Sequence, residues 1–154
     1  MLGYRVWTVA ANADGSGPYL LRSPWQGTIW RESTLRAPVA PDAGNRVGVY
    51  SRSRYAEPPP PVGLARGTVR LSGRVVEHED GTLRAQEAQV ERLMLVALSG
   101  LLVAQSQAPL PYSLLRAEPA IGVLLTIEPR ELLRQLLVAY GAEPLYDWPW
   151  EDAA

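Results

Sequence analysis

His78 is the single histidine of this chain, and it stands between Glu77 and Glu79 with Asp80 next. An imidazole beside carboxylates is the make-up of a general base steered by an acid. On a strand, however, adjacent residues point to opposite faces, so neither glutamate would share a face with the ring. No second histidine exists to share a metal. His78 therefore reads as a solvated residue at a hairpin end. There is no G-x-S-x-G nucleophile elbow. The loop Asp14-Gly15-Ser16-Gly17 lacks the lysine and the strand-to-helix setting of a phosphate loop. Glu128 and Glu131 read as acids complementing a helix dipole, not as a metal pair. With no cysteine, disulfides, cysteine–zinc sites and thiol catalysis are excluded. With no lysine, so is Schiff-base chemistry. No enzyme signature emerges, and neither a cofactor nor a metal is expected.

The second kind of chemistry is recognition. The first half interleaves arginines with aromatics: Tyr4-Arg5-Val6-Trp7, Tyr19 with Arg22, Trp30-Arg31 and Tyr50 to Tyr55. Arginine beside exposed aromatics on a sheet holds single-stranded nucleic acid by stacking and phosphate contact. Arg22, Trp25, Arg31, Tyr50, Arg52, Arg54 and Tyr55 are thus candidates for binding a partner protein or a nucleic acid. The core competes for the same aromatics, because the chain has no phenylalanine. The acidic tail carries Trp148 and Trp150, which either pack back on the basic half or dock on a partner.

These residues need elements to position them. Asp80-Gly81 is a strong hairpin signal, predicting a type I′ turn. That turn would set Glu77 opposite Arg84, Arg74 opposite Glu87 and Arg70 opposite Glu91, three opposite-charge pairs. Tyr4–Val9, Tyr19–Arg22, Thr28–Arg31 and Arg46–Arg52 read as further strands, and the four prolines 58–61 as a stiff connector. Val90, Leu93, Met94, Ala97, Leu98 and Leu101 fit helical spacing. The charge pairs nevertheless favour a strand running into the 90s. Pro129 and Gly141 bracket an amphipathic helix whose apolar side is Leu132, Leu133, Leu136, Leu137 and Tyr140.

At 154 residues the chain reads as one domain: a β-rich core over 1–92, an apolar insertion over 93–127, a helix over 128–141 and an acidic Trp-rich tail over 142–154. No stretch reaches the ~18 apolar residues of a membrane span. The opening MLGYRVWTV lacks a cationic segment followed by a long apolar one. A cytoplasmic protein without membrane contact is expected. All fifteen basic side chains are arginine, the mark of a high-GC genome. Residues 1–76 hold ten arginines against four acids, a net of +6, and residues 77–154 hold five against twelve, a net of −7. Such a split signals either an anionic partner or internal pairing of basic with acidic strands.

One ordered set of motifs runs through the chain. It comprises Gly3-Tyr4-Arg5-Val6-Trp7, then Leu21-Arg22-Ser23 leading to Trp30, then Gly48-Val49-Tyr50. It continues as Gly67-x-Val69-x-Leu71-x-Gly73-Arg74-Val75-Val76-Glu77-His78-Glu79-x-Gly81-x-x-Arg84-Ala85 and ends in Tyr140-Gly141. This set resembles a family of short uncharacterised proteins common in high-GC bacteria and their phages, over roughly the first 90 residues and the last helix. The family's segment before Gly48 carries a close cysteine pair and a nearby histidine. Here it reads Gly44-Asn45-Arg46-Val47, so any metal or redox role of that pair does not carry over.

The expected fold is α+β, a mostly antiparallel sheet curling into a barrel-like core with a C-terminal amphipathic helix. The expected function is a non-enzymatic binding or adaptor module acting through protein–protein contacts, with another protein or a second copy as partner. A nucleic-acid-binding module is the alternative, and a small-ligand sensor the third.

Overall fold

The computed structural model describes residues 1–24, 28–53, 65–95, 103–107 and 122–146. The strands are β1 (Leu2–Ala11), β2 (Leu20–Arg22), β3 (Ile29–Trp30), β4 (Thr34–Arg36), β5 (Val49–Arg52), β6 (Ala65–Glu77), β7 (Thr82–Leu95), β8 (Val103–Ser106) and β9 (Val123–Leu124). Helix α1 (Pro129–Tyr140) and the short β10 (Glu143–Pro144) follow. The fold is α+β and sheet-rich. Most pairings are antiparallel, but β8 on β1 and β10 on β7 run parallel, which makes the sheet mixed. No helix among the described residues is long and apolar enough to cross a membrane.

The framework is the long β6–β7 hairpin with β1 against β6. On β1, Gly3, Arg5 and Trp7 face inward and Leu2, Tyr4 and Val6 face outward, the alternation that a pleated strand imposes. The cross-strand partners obey the same split: Val69, Gly67 and Ala65 inside, Arg70, Thr68 and Arg66 outside. Strand β5 pairs β7 on the other side, and touches β1 through the single register pair Tyr4↔Arg52. The pairings thus lead from β1 through β6 and β7 to β5, which touches β1, and Trp7, Val49, Val69, Leu83, Val90 and Leu93 belong to one hydrophobic core. Each fully buried aliphatic side chain contributes about 1.5–3 kcal/mol.

The hairpin turn differs from expectation. Gly81 N–H donates to His78 O and His78 N–H to Thr82 O, so the loop holds three residues, not two. Gly81 has φ +86°, the left-handed residue that ends a three-residue loop. The register moves by one: Glu77 faces Leu83 and Val76 faces Arg84. Two irregularities follow, at Ser72/Val75 and at Thr68/Val69. Arg70 therefore lies opposite Gln89, yet still reaches Glu91 diagonally at 2.9 Å. Glu87 pairs with Arg36 of β4 at 2.9 Å rather than with Arg74. Of the three anticipated charge pairs, one forms by another route and two do not form.

Strand β7 continues to Leu95, so the helical spacing around residue 90 has a different cause. Glu91 is a bulge residue without a partner in the ladder. It places two inward residues, Val90 and Leu93, three positions apart, which imitates a helical period.

Helix α1 is built as its sequence suggests. Proline opens it, Glu131 stands in its first turn, and Gly141 at φ +58° closes it. Leu132, Leu136 and Tyr140 are its buried stripe. The Tyr140 hydroxyl donates to Trp30 O and accepts from Leu21 N–H at 2.8 Å, fastening the helix end to β2 and β3.

Candidate functional site

The described residues among those expected to contact a partner, Arg22, Arg31, Tyr50 and Arg52, do not form one patch. Trp25, Arg54, Tyr55, Trp148 and Trp150 lie outside the described residues. Arg22 is withdrawn from solvent at 2% exposure, and its guanidinium donates to Ser106 O at 2.7 Å. It is a core cross-link between β2 and β8, and burial lowers its pKa. Tyr50 is half-buried, its hydroxyl donating to Arg46 O at 2.7 Å. Arg52 is exposed and donates to Asp80 O at 3.1 Å, at the hairpin end. Arg31 is exposed beside Tyr140. The register puts Arg52 level with Tyr4 and Arg31 just past the Trp30↔Leu21↔Val9 row. That is roughly 17 Å along β1 and about three strand spacings across. One oligonucleotide phosphate pair cannot use both arginines.

Three other clusters are assembled instead. The first surrounds Arg84, which is 3% exposed. Its Nε donates to His78 Nε2 at 3.0 Å, Nη1 to Val47 O at 2.9 Å and Asn45 Oδ1 at 3.2 Å, and Nη2 to Asp42 O at 2.8 Å. Every acceptor is neutral, and four of the five guanidinium N–H groups are directed at the loop before β5 and at His78. Because His78 Nε2 accepts, its proton sits on Nδ1. The lone pair that a general base would need is engaged, so the imidazole acts here as a strut. Gly48, at φ +140°, makes room: a Cβ there would lie 2.8 Å from Arg84 Cβ. The loop is further stiffened by Asp42 and Asn45, whose carboxylate and amide oxygens accept from Gly44 and Val47 N–H.

The second cluster lies beside the core residues Trp7 and Trp30. Arg5 Nη1 donates to Tyr50 O and Nη2 to Ser23 Oγ, with the Trp7 and Trp30 rings 5.8 and 5.2 Å from its guanidinium carbon. The two indoles meet edge to face at 5.6 Å. No carboxylate pairs with Arg5 among the described residues, and burial lowers its pKa to about 10. Sequence inspection treats Arg5 as one more basic residue of the N-terminal half. Its even spacing with Gly3 and Trp7 was the available signal that it points inward.

The third cluster is the outer face of β1–β6–β7. Its rows are Leu2↔Arg70↔Gln89, Tyr4↔Thr68↔Arg92 and Val6↔Arg66↔Met94. Leu2, Arg70, Gln89 and Arg92 are exposed, Tyr4, Val6, Arg66 and Met94 are half-buried, and Thr68 at the centre is buried. Three arginines stand here against two acids: Glu91, which is bonded to Arg70 Nη2 and to the Thr68 hydroxyl, and exposed Glu143 of β10, level with Arg92. The face is cationic, with apolar side chains between the charges.

Among the described residues, no group of three His, Asp or Glu side chains gathers as a metal site. Compared with family models, curated proteins and solved structures, the chain matches none.

Proposed function

We propose that this chain is a non-enzymatic binding or adaptor module whose working surface is the outer face of β1–β6–β7. The observation that supports it is the combination on one sheet face of Arg70 and Arg92, both exposed, with exposed Leu2 and half-buried Met94. Planar guanidinium groups suit carboxylates, and the aliphatic side chains between them give an apolar partner residue something to cover. The matching partner is an acidic protein segment with aromatic or aliphatic residues. A barrel-like core belongs to the same reading: strands returning on themselves would hold this face rigid, lowering the ordering cost of binding. The resemblance to short proteins of high-GC bacteria and phages supplies no activity, so function rests on surfaces.

The nucleic-acid alternative has less support, since Arg22 is buried and Arg31 lies far from Arg52. A small-ligand role has only the enclosed Arg5 to draw on.

One assay separates these. Fluorescence anisotropy of the full chain with an acidic aromatic peptide, a basic peptide and a single-stranded oligonucleotide should show binding to the acidic peptide alone. The affinity should fall steeply with salt and be lost in the Arg70→Glu/Arg92→Glu double variant. Equal binding of basic and acidic peptides would overturn the proposal, and binding of the oligonucleotide alone would replace it with the nucleic-acid role.

A further inference from the structure

We infer that His78 is a proton-operated latch on the loop of residues 37–48. Neutral, it holds the buried Arg84 guanidinium in place against that loop; protonated, it lets go and turns to the carboxylate of Asp80. The latch works whether or not the outer face binds a partner.

Arg84 pins the loop. Its terminal nitrogens donate to Val47 O, Asn45 Oδ1 and Asp42 O, and Asn45 Oδ1 also accepts from Asp42 N–H and Val47 N–H. The remaining edge of the guanidinium is Nε, whose acceptor is His78 Nε2 at 3.0 Å. Arg84 is buried, so taking that acceptor away leaves a charged N–H unpaired in the interior. His78 itself is exposed. Protons reach it freely, and its ring can swing into water without opening the core. The loop presents Pro38, Val39 and Ala40 to solvent, so its order decides whether those residues form a fixed surface.

Imidazole is the side chain that changes charge between about pH 5 and 8. Protonation puts an N–H on Nε2, the very atom that accepts here. Two cationic donors then face each other at the 3.0 Å of the present bond, and attraction turns to repulsion. The surrounding charges supply a second resting place. Glu77 and Glu79 flank the ring on the hairpin and Asp80 follows, all three exposed. The Asp80 carboxylate accepts from Thr82 N–H at 2.9 Å, which is the main cause of its lowered pKa, and the positive charges of Arg52 and His78 add to the effect. Arg52 of β5 donates to Asp80 O and not to the carboxylate. In the loop, Asp42 spends a carboxylate oxygen on Gly44 N–H, and Arg46 stands exposed between Asn45 and Val47. Acids thus lie on the solvent side of His78 and a guanidinium on the inner side. The neutral ring suits the second and the imidazolium the first.

An NMR titration of the full ¹⁵N-labelled chain from about pH 8 to about pH 5 tests the latch. The amide signals of Gly44, Asn45 and Val47 should shift along one curve, with the midpoint shown by the Cε1 proton of His78. Their ¹H–¹⁵N NOE values should fall at the acid end. His78→Gln offers Arg84 Nε an amide oxygen at every pH, so its loop should stay ordered and its signals still. His78→Ala should show the loosened loop at both ends of the range. Asp80→Asn keeps the oxygen that takes Thr82 N–H but removes the charge, and should move the midpoint to lower pH. Loop signals that ignore the His78 curve, or that shift as far in His78→Gln, would overturn the inference. So would an ordered loop in His78→Ala. An unmoved midpoint in Asp80→Asn would overturn the second resting place.

Discussion

Tyr140 shows how much one polar atom can hold. Its hydroxyl serves Trp30 O and Leu21 N–H in the interior, and burial pushes its pKa up to about 12. Tyr140→Phe leaves that carbonyl and that N–H unpaired, and should cost about 1–3 kcal/mol in denaturant unfolding. The pH dependence has a definite sign. A folded pKa above the unfolded value means that the contribution is complete below about pH 10 and lost as pH rises towards about 12. The stability gap between wild type and Tyr140→Phe should therefore narrow across that window. Arg5, whose lowered pKa acts in the opposite direction there, is common to both proteins and cancels. Arg84 is the other such residue. Arg84→Met strips donors from Val47 O, Asp42 O and Asn45 and should cost at least about 2 kcal/mol. Amide exchange should accelerate across residues 37–48. Arg84→Lys should not rescue it, because an ammonium cannot fill three fixed directions. Retained protection in that loop would remove Arg84 from its role as strut.

Elements differ in how far their own sequence sets them. Helix α1 is legible because its signals are local: Pro129 at the start, Gly141 at the end and a leucine stripe between. The β6–β7 hairpin is legible as a hairpin, but its register is not. Asp80-Gly81 fits a two-residue and a three-residue loop equally well, and the choice depends on pairing elsewhere. Ser53 N–H donates to Gly81 O, and Arg52 holds Asp80 O, so β5 helps fix the wider turn. With φ +86° at Gly81, Gly81→Ala should destabilise the fold by about 1–2 kcal/mol. Chemical denaturation measures this, and a change of only a few tenths would mean that the turn does not need its left-handed residue. The Glu91 bulge was illegible for a related reason: nothing in residues 88–95 announces that Thr68 of another strand will skip it.

On the scale of the molecule, the charge split has little to do with strand pairing. Among the described residues only Arg36–Glu87 and Arg70–Glu91 join the two halves as ion pairs, and in both the arginine is well exposed and the glutamate half-buried. Exposed pairs of this kind contribute about 0–1 kcal/mol each. Arg5, Arg22 and Arg84, by contrast, spend their guanidinium groups on carbonyls, hydroxyls and an imidazole. Several residues of the ordered motif set serve these interior links: Arg5 and Trp7 with Trp30, Gly48 and His78 with Arg84, and Tyr140 with Leu21. Their roles are in the fold.

The sequence by itself determined what depends on neighbours in the chain: strand alternation, the presence of a turn at Gly81, the helix with both its ends, and the chemistries that missing cysteine and lysine remove. The tertiary structure decided which arginines are buried, where β6 and β7 slip past one another, and which side chains share a face. Those outcomes depend on partners 40 to more than 100 positions away, as Arg84 with Asp42 or Tyr140 with Trp30. Side-chain type records the capacity to make such a bond, and only the packed sheet supplies the atom that completes it.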